Sequence, residues 1–331
     1  MIQPLSRRRF IRISAASAGL AVLPIGSQPK AVSSLLTWHG TMLGAVATIQ
    51  VHHEDQKEAW RLISLACAEA RRLERLFSLY LPDSALVELN RTRILIDPAP
   101  EFVDLMAISQ RYAELTNGMF DPTVQPLWDL YTDHFSKANA DPAGPSQSAV
   151  RAALTQVGFD RLTIGRDRIA MPRGTAVTLN GIAQGYVTDK IVDLLRSQGI
   201  VHSLVDMGET RAIGARPDGQ PWVVGIADPD VMGRTTTALP IVDRAVSTSG
   251  AYGFQFDAEG RFNHLFDPAT GGCADRYRSV TTVSTNATAA DALSTAFSLM
   301  SEPQIRSALP QVDIERVHLV DATGISLDIL P

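Results

Sequence analysis

The sequence predicts an α+β fold of largely antiparallel strands with packed helices, and three observations carry that expectation. Beyond Arg161 the chain is crowded with short β-rich runs separated by Gly, Pro and Asp turns. Only two helical stretches interrupt those runs, too few to supply the crossovers that a parallel sheet needs. The first half instead carries longer segments with the helical period. A chain of 331 residues that is 45% hydrophobic can bury one large core or two intimately packed lobes.

Taken in order, residues 41–52 alternate and read as a strand. From 55 to 79 apolar residues recur at 60, 63, 66, 67, 70, 73, 76 and 77, the spacing of a long amphipathic helix. A second helix is expected over 101–115, ending at Asn117-Gly118, and 136–145 reads as a loop. Ser146 then caps a helix running to about 157. Strands are expected at 161–164, 168–171, 176–180, 202–206, 210–215, 222–227, 236–241, 245–249, 262–266, 277–284, 317–321 and 325–329. The two interposed helices fall at 182–197 and 288–300.

The N-terminus carries an address. Ser6-Arg7-Arg8-Arg9-Phe10-Ile11-Arg12 precedes an uncharged Ala/Leu-rich stretch over 13–25, the pattern of a twin-arginine export signal. That apolar run is shorter than the roughly 20 residues needed to cross a bilayer, so a signal h-region is expected and no stable transmembrane span. The chain thus divides into a signal peptide at 1–30 and one domain at 31–331, with the twin-arginine translocase as a partner and the periplasm as destination. That translocase carries folded proteins, which points to a cofactor inserted before export. No Cys follows the apolar run, against a lipoprotein.

Residues 1–30 hold five basic side chains (Arg7, Arg8, Arg9, Arg12, Lys30) and no acidic one, so removing them leaves 25 Lys+Arg against 35 Asp+Glu, a formal charge of −10. An acidic domain of this kind has no electrostatic footprint for nucleic acid or for an anionic membrane. Two cysteines occur. Cys67 falls on the apolar face of the first helix, and nothing in the spacing supports a disulfide to Cys273.

Several segments carry chemistry. Asp291, Ser294 and Thr295 stand at i, i+3 and i+4, so three oxygen-bearing side chains share one helical face, as a hard-metal corner requires. Thr288-x-x-Asp291 is also the pattern of a helix-start capping box, and both readings stand. His264, at the end of a predicted strand, suits a general base for a hydroxyl nucleophile, or is a strand histidine without a role. The stretch from Asn117 to Val124 forms turns that could hug a ligand, and Gly181-Ile182-Ala183-Gln184-Gly185 offers backbone amides at a helix start.

Their order and joint occurrence resemble the FAD:protein FMN transferases, the ApbE family. The shared blocks are Gly40-Thr41-Met42-Leu43-Gly44, Phe77-Ser78-Leu79-Tyr80 on to Leu89-Asn90, Gly118-Met119-Phe120-Asp121-Pro122-Thr123-Val124, Gly181 to Tyr186, Trp222 to Pro229, Thr248-Ser249-Gly250, His264 to Gly271, and Ala290 to Thr295. With twin-arginine export, the likeness is strongest to the NosX-type branch that accompanies nitrous oxide reductase maturation.

The resemblance implies an ApbE-like flavin transferase fold and the transfer of FMN from FAD to a Ser or Thr hydroxyl of an acceptor flavoprotein, releasing AMP. It implies that Met42, Tyr80, Met119, Phe120, Asp121 and Phe266 contact the flavin nucleotide. Asp291, Ser294, Thr295 and the backbone oxygen of Gly181 would hold Mg2+ against the FAD pyrophosphate, and His264 would accept the hydroxyl proton. Thr178 and Gln184 stand at ligand positions where the family commonly has an Asp and a Lys or Glu. Met207-Gly208-Glu209 replaces the usual Gly-Gly-acid run. Two rival readings share these contacts: a magnesium-dependent FAD pyrophosphatase and a non-catalytic periplasmic flavin-binding assembly factor.

Overall fold

The computed structural model describes residues 34–228 and 234–331, so the twin-arginine motif and the signal boundary lie outside the described residues. The chain enters as a hairpin of β1 (Ser34–Met42) and β2 (Ala45–His53), where one strand over 41–52 was expected. The reversal falls at Leu43-Gly44, both at positive φ (50° and 78°), with the Leu43 amide donating to Glu74 Oε1 at 3.0 Å. Glycine at the second position makes that turn tolerable.

Glu74 belongs to α1 (Gln56–Phe77), whose first amides donate to the Asp55 carboxylate. Its buried face is Ala59, Leu62, Ile63, Ala66, Cys67, Ala70, Leu73 and Phe77, while Trp60 is 46% exposed. The buried stripe is therefore rotated from the expected one, with Ala59 and Leu62 inward and Trp60 on the surface. Next come α2 (Ala85–Thr92), β3 (Ile94–Ile96), α3 (Pro100–Leu115), α4 (Gln125–Phe135), α5 (Gln147–Leu154), β4 (Thr163–Ile164) and β5 (Arg168–Ala170). Ser146 caps α5 by accepting from the Ala149 amide, as the sequence indicated.

The second half contributes α6 (Ala183–Ser197), β6 (Ser203–Asp206), β7 (Thr210–Ile213), β8 (Trp222–Ala227), β9 (Thr235–Ile241), β10 (Ala245–Ser249), β11 (Tyr277–Ser284), α7 (Ala287–Phe297), α8 (Glu302–Ala308), β12 (Arg316–Asp321) and β13 (Ser326–Ile329). Eight strands form one sheet in the order β1-β2-β6-β7-β10-β11-β12-β13, every neighbouring pair antiparallel. The period-2 alternation of its strands feeds two cores. Ile49, Val205 and Ile213 join the main core with the helices, whereas Leu204, Ala212 and Val246 pack against the β8–β9 hairpin. The fold is thus α+β, as expected.

Two expected strands do not form. Residues 176–180 lie outside any sheet because their backbone groups are taken elsewhere. Asn90 clamps Val177 with both ends of its amide, accepting from N–H at 2.7 Å and donating to C=O at 2.8 Å, and the Thr178 amide donates to Pro122 O. Residues 262–266 make only isolated bridges, Gln255 with Asn263 and Phe266 with Cys273. There the Asn263 side chain competes for the backbone, donating to Ala274 O and accepting from the Leu265 amide.

Helices α6 and α7 cap each other. Asp189 of α6 accepts from the Ala287 and Thr288 amides that open α7, each at 2.8 Å. Asp291 of α7 accepts from the Gly185 amide in the first turn of α6 at 3.0 Å. Each carboxylate satisfies N–H groups that a helix start leaves without an intrahelical acceptor, at the positive end of the partner's dipole. The contact needs a glycine: a Cβ on residue 185 would stand 2.3 Å from Ala287 O and 2.8 Å from Asp291 Cβ. We expect Gly185→Ala to cost about 1–3 kcal/mol in urea denaturation, the range for overpacking a tight contact. A variant as stable as the wild type would mean that the two helices are free to separate.

Candidate active site

The start of α6 and the Asp291–Thr295 face of α7 border a cleft of about 110 Å³ that opens to solvent. Its walls come from the 119–125 turn, the start of α4, residues 178–184, the end of β10, the loop around His264, and α7. Of the residues singled out from sequence, Met119, Phe120, Asp121, Thr178, Gly181, Gln184, His264, Phe266, Asp291 and Thr295 all line it. The contact of α6 with α7 brings Gly181 and Gln184 beside Asp291 and Thr295 on that cleft.

Met42, Tyr80 and Ser294 are placed differently. Met42 is 2% exposed and packs in the main core, since the β1 alternation turns it inward just before the hairpin. Tyr80 stands half-exposed outside the lining, its hydroxyl accepting from Asn180 Nδ2 at 3.2 Å, and Asn180 does line the cleft. Ser294 is fully buried. Its hydroxyl lies 3.1 Å from Ser247 Oγ and 2.7 Å from Ser249 Oγ, and it donates to Asp291 O. The i, i+3, i+4 face is real, but Ser294 meets β10, and Ser249 stands on the cleft in its place.

The capping-box reading of Asp291 gives way as well. The N-cap of α7 is Asn286, which accepts from the Ala289 amide, and Thr288 is held by Asp189. Asp291 reaches across to α6 instead. Burial pushes its carboxyl up to about 7, and the Asp189 charge adds to the rise against the Gly185 hydrogen bond. Glu209, which also lines the cleft, is raised well above the carboxylate range by burial and then by Asp291, the Ser247 hydrogen bond opposing. Asp206 behind it is lifted to about 6 by burial.

Asp121 is committed to structure. Its carboxylate accepts from the Thr123 amide and hydroxyl at 2.7 and 2.6 Å and from the Phe159 amide at 3.0 Å, which fixes the turn that presents Met119 and Phe120. Gln184 is buried under Gly208, where φ is +109° and a Cβ would stand 2.5 Å from the Gln184 amide carbon. Thr178 accepts from the Asn180 amide, shaping the turn before Gly181.

His264 is half-buried, with its ring on the cleft. Its Nδ1 lies 3.3 Å from Phe254 O; a carbonyl only accepts, so Nδ1 carries the proton and Nε2 is the basic nitrogen. Burial pushes the imidazole down to about 4, the Phe254 hydrogen bond opposing. The ring is therefore neutral through the whole neutral range, with Nε2 unprotonated, and burial makes it a weaker base than a free imidazole.

Among the described residues no Lys or Arg lines the cleft, which carries the carboxyls of Asp121, Glu209 and Asp291. Among the described residues no cluster of three or more His, Cys, Asp or Glu forms a metal cage. The oxygen donors at the acidic end nevertheless suit a hard cation: carboxyls of Asp291 and Glu209, hydroxyls of Thr295 and Ser249, and the main chain at Gly181, where a Cβ would be 3.0 Å from Thr295 Oγ1. Sequence reasoning assigned no role to Glu209, Ser249, Asn180 or Trp128. Glu209 and Ser249 lay inside quoted motifs; Trp128 gave no signal beyond being an aromatic just after a Pro.

Cys67 is buried and Cys273 half-buried, and both are free thiols.

The raised carboxyl of Asp291 has a stability consequence. A group more basic in the folded chain than in the unfolded one favours folding at low pH, and that contribution is lost as pH climbs from the ordinary carboxylate value through about 7. In chelator, wild-type melting temperature should fall across pH 4–8 more steeply than that of Asp291→Asn, which keeps the Gly185 hydrogen bond without the ionisation. Parallel profiles would contradict the burial argument.

Comparison with known proteins gives this architecture relatives. The chain is 32% identical over 233 residues to the FAD:protein FMN transferase of Vibrio cholerae serotype O1, covering 68% of this chain and 69% of that protein. It is 26% identical to that of Escherichia coli K12 over 95% of this chain and 93% of the other. Among solved structures, the ApbE protein of Thermotoga maritima superposes with a TM-score of 0.78 at 26% identity, over 89% of this chain and 96% of that one. The apo flavinyl transferase ApbE of Pseudomonas stutzeri gives 0.76 at 25% identity, over 90% and 95%. The ApbE family profile matches residues 43–318, a span that contains every residue lining the cleft, and the chain belongs to the ApbE family.

Proposed function

We propose that this chain is an FAD:protein FMN transferase, moving the FMN part of FAD onto a Ser or Thr hydroxyl of an acceptor flavoprotein. The observation that carries this reading is a single cleft that joins a neutral imidazole base to an acidic, oxygen-only end without Lys or Arg. A pyrophosphate entering it would meet carboxyls with no cationic side chain among the described lining to balance them, so the site calls for a divalent cation between protein and phosphate. The relatives named FAD:protein FMN transferases support the same reaction.

Asp291, Thr295 and the main chain of Gly181, with Glu209 beside them, would hold Mg2+. When bound, Mg2+ would neutralise the charge on the phosphate oxygens. The acceptor oxygen forms a bond to the FMN-side phosphorus, the bond from that phosphorus to the bridging oxygen breaks, and AMP leaves with the bridging oxygen. His264 takes the hydroxyl proton on Nε2 while Phe254 O holds Nδ1–H and fixes the ring. The apolar wall of Met119, Phe120, Leu265 and Phe266 keeps the other part of the cleft dry for the planar portions of the dinucleotide.

The twin-arginine motif supports export, so we propose that transfer takes place in the periplasm, on an exported or membrane acceptor. The NosX-type likeness supports a place in maturing a nitrous oxide respiratory system.

Incubation of the protein with FAD, Mg2+ and a candidate acceptor should give, by mass spectrometry, an acceptor carrying FMN together with AMP. Free FMN and AMP without an adduct on any acceptor would favour the pyrophosphatase reading instead. His264→Asn should bind FAD nearly normally yet lose about 10²–10⁴-fold in transfer, the range for deleting a positioned base. Because burial holds His264 near 4, the limb that His264 contributes should lie near 4 and be missing from His264→Asn, whereas a fall nearer 7 belongs to Asp291, which must be ionised to hold a cation. A limb near 4 that persists in His264→Asn would assign the proton to another group.

A further inference from the structure

We propose that Asn90 is a positioning residue for the cation end of the cleft, fixing the main chain at Gly181 from outside, an inference that rests on the flavin reading above. Asn90 lies in the last turn of α2 and does not line the cleft. Its carboxamide reaches across 87 positions of sequence to Val177, where Oδ1 accepts from the amide at 2.7 Å and Nδ2 donates to the carbonyl at 2.8 Å. A carboxamide of this length offers an acceptor and a donor side by side, the pair that a neighbouring strand would otherwise supply. The anchor is itself rigid: Leu86 and Leu89 of α2 are fully buried, Ser84 caps the helix, and Arg93 at its end accepts through its carbonyl from the Met171 amide.

The clamped segment has little else to set its course. Of the three hydrogen bonds that tie the main chain of residues 176–178 to other parts of the described fold, Asn90 makes two, and the third runs from the Thr178 amide to Pro122 O at 2.8 Å. Further on, Leu179 O accepts from the Ile182 and Ala183 amides at 3.1 and 2.8 Å, which fastens the turn to the start of α6. Gly181 is thus suspended between Asn90 upstream and α6 downstream. It lies so near Thr295 that a Cβ would stand 3.0 Å from Oγ1, so a small shift of this turn changes which oxygens converge on a cation. The opposite wall does not hang on Asn90. Its 119–125 turn is held by the Phe159 amide on Asp121, the Gly158 amide on Thr123 Oγ1 and the Phe120 amide on Thr116 Oγ1. Loss of the clamp therefore loosens the cation end and spares the apolar end, while the buried side chains of Val177 and Leu179 keep the segment packed in the core.

The test uses equilibrium binding without turnover. Wild-type protein, Asn90→Ala and Asn90→Asp are titrated with FAD and with riboflavin by flavin fluorescence, in EDTA and over a series of Mg2+ concentrations, below the melting temperature of each. Asn90→Asp keeps the size of the side chain and the acceptance from the Val177 amide but cannot donate to Val177 O, so it separates the clamp from packing. In both variants the Mg2+ concentration that half-saturates the gain in FAD affinity should rise about 10-fold or more, the range for losing a group that orients a metal ligand, while riboflavin affinity stays at the wild-type value. An unchanged Mg2+ midpoint in a variant that still binds riboflavin would overturn the proposal and leave the flavin reading intact. Equal losses of FAD and riboflavin would overturn it too, marking Asn90 as a support of the whole fold. Wild-type FAD affinity indifferent to Mg2+ would overturn the cation reading itself.

Discussion

The reciprocal capping of α6 and α7 is the contact on which the site depends. Two helices distant in sequence each lend a carboxylate to the other's N-terminus, Asp189 to Ala287 and Thr288, Asp291 to Gly185. The approach is so close that residue 185 has no room for a Cβ. One consequence is that Gly181, just before α6, comes to lie against Thr295, one turn after Asp291. A second is that Asp291 is buried where its charge is costly. Asp189 has Arg211 at 2.6 Å to balance it, whereas Asp291 faces the cleft. The fold thus leaves one member of a symmetrical pair short of positive charge, and that asymmetry is where the chemistry enters.

The same logic runs through the rest of the cleft. Burial raises both Asp291 and Glu209, and a chain of hydroxyls from Ser247 through Ser294 to Ser249 shares the hydrogen-bonding behind them. Across the cleft, burial acts on His264 in the opposite sense and keeps it neutral. A single desolvated site therefore holds its acids reluctant to ionise and its base reluctant to protonate. Such a site favours a cation with an anionic ligand at one end and, at the other, an imidazole that takes a proton only once a nearby negative charge offsets it.

Much of this was legible in the sequence where local rules govern. The antiparallel sheet, the cap at Ser146, and the helices around 182–197 and 288–300 follow from periodicity and a polar cap that tertiary contacts do not override. The expected strand at 176–180 failed because alternation registers that a segment is half-buried, not where its hydrogen bonds go; here they go to Asn90 and Pro122. Ten of the site residues drawn from sequence line one cleft. Helical spacing alone could not say that Ser294 would meet β10 while Ser249 took the exposed position. Nor could it distinguish Asp291 as a cap for its own helix from Asp291 as a cap for another. Those distinctions depend on which elements pack together, and Trp128 depends on them entirely.

The central claim is that the acidic end of the cleft takes a pyrophosphate only with a divalent cation between them. FAD and riboflavin share the isoalloxazine ring, but only FAD carries the pyrophosphate, so their affinities measured in Mg2+ and in EDTA isolate that contact. Mg2+ should strengthen FAD binding several-fold or more and leave riboflavin binding unchanged. Equal FAD affinity in Mg2+ and EDTA would contradict it.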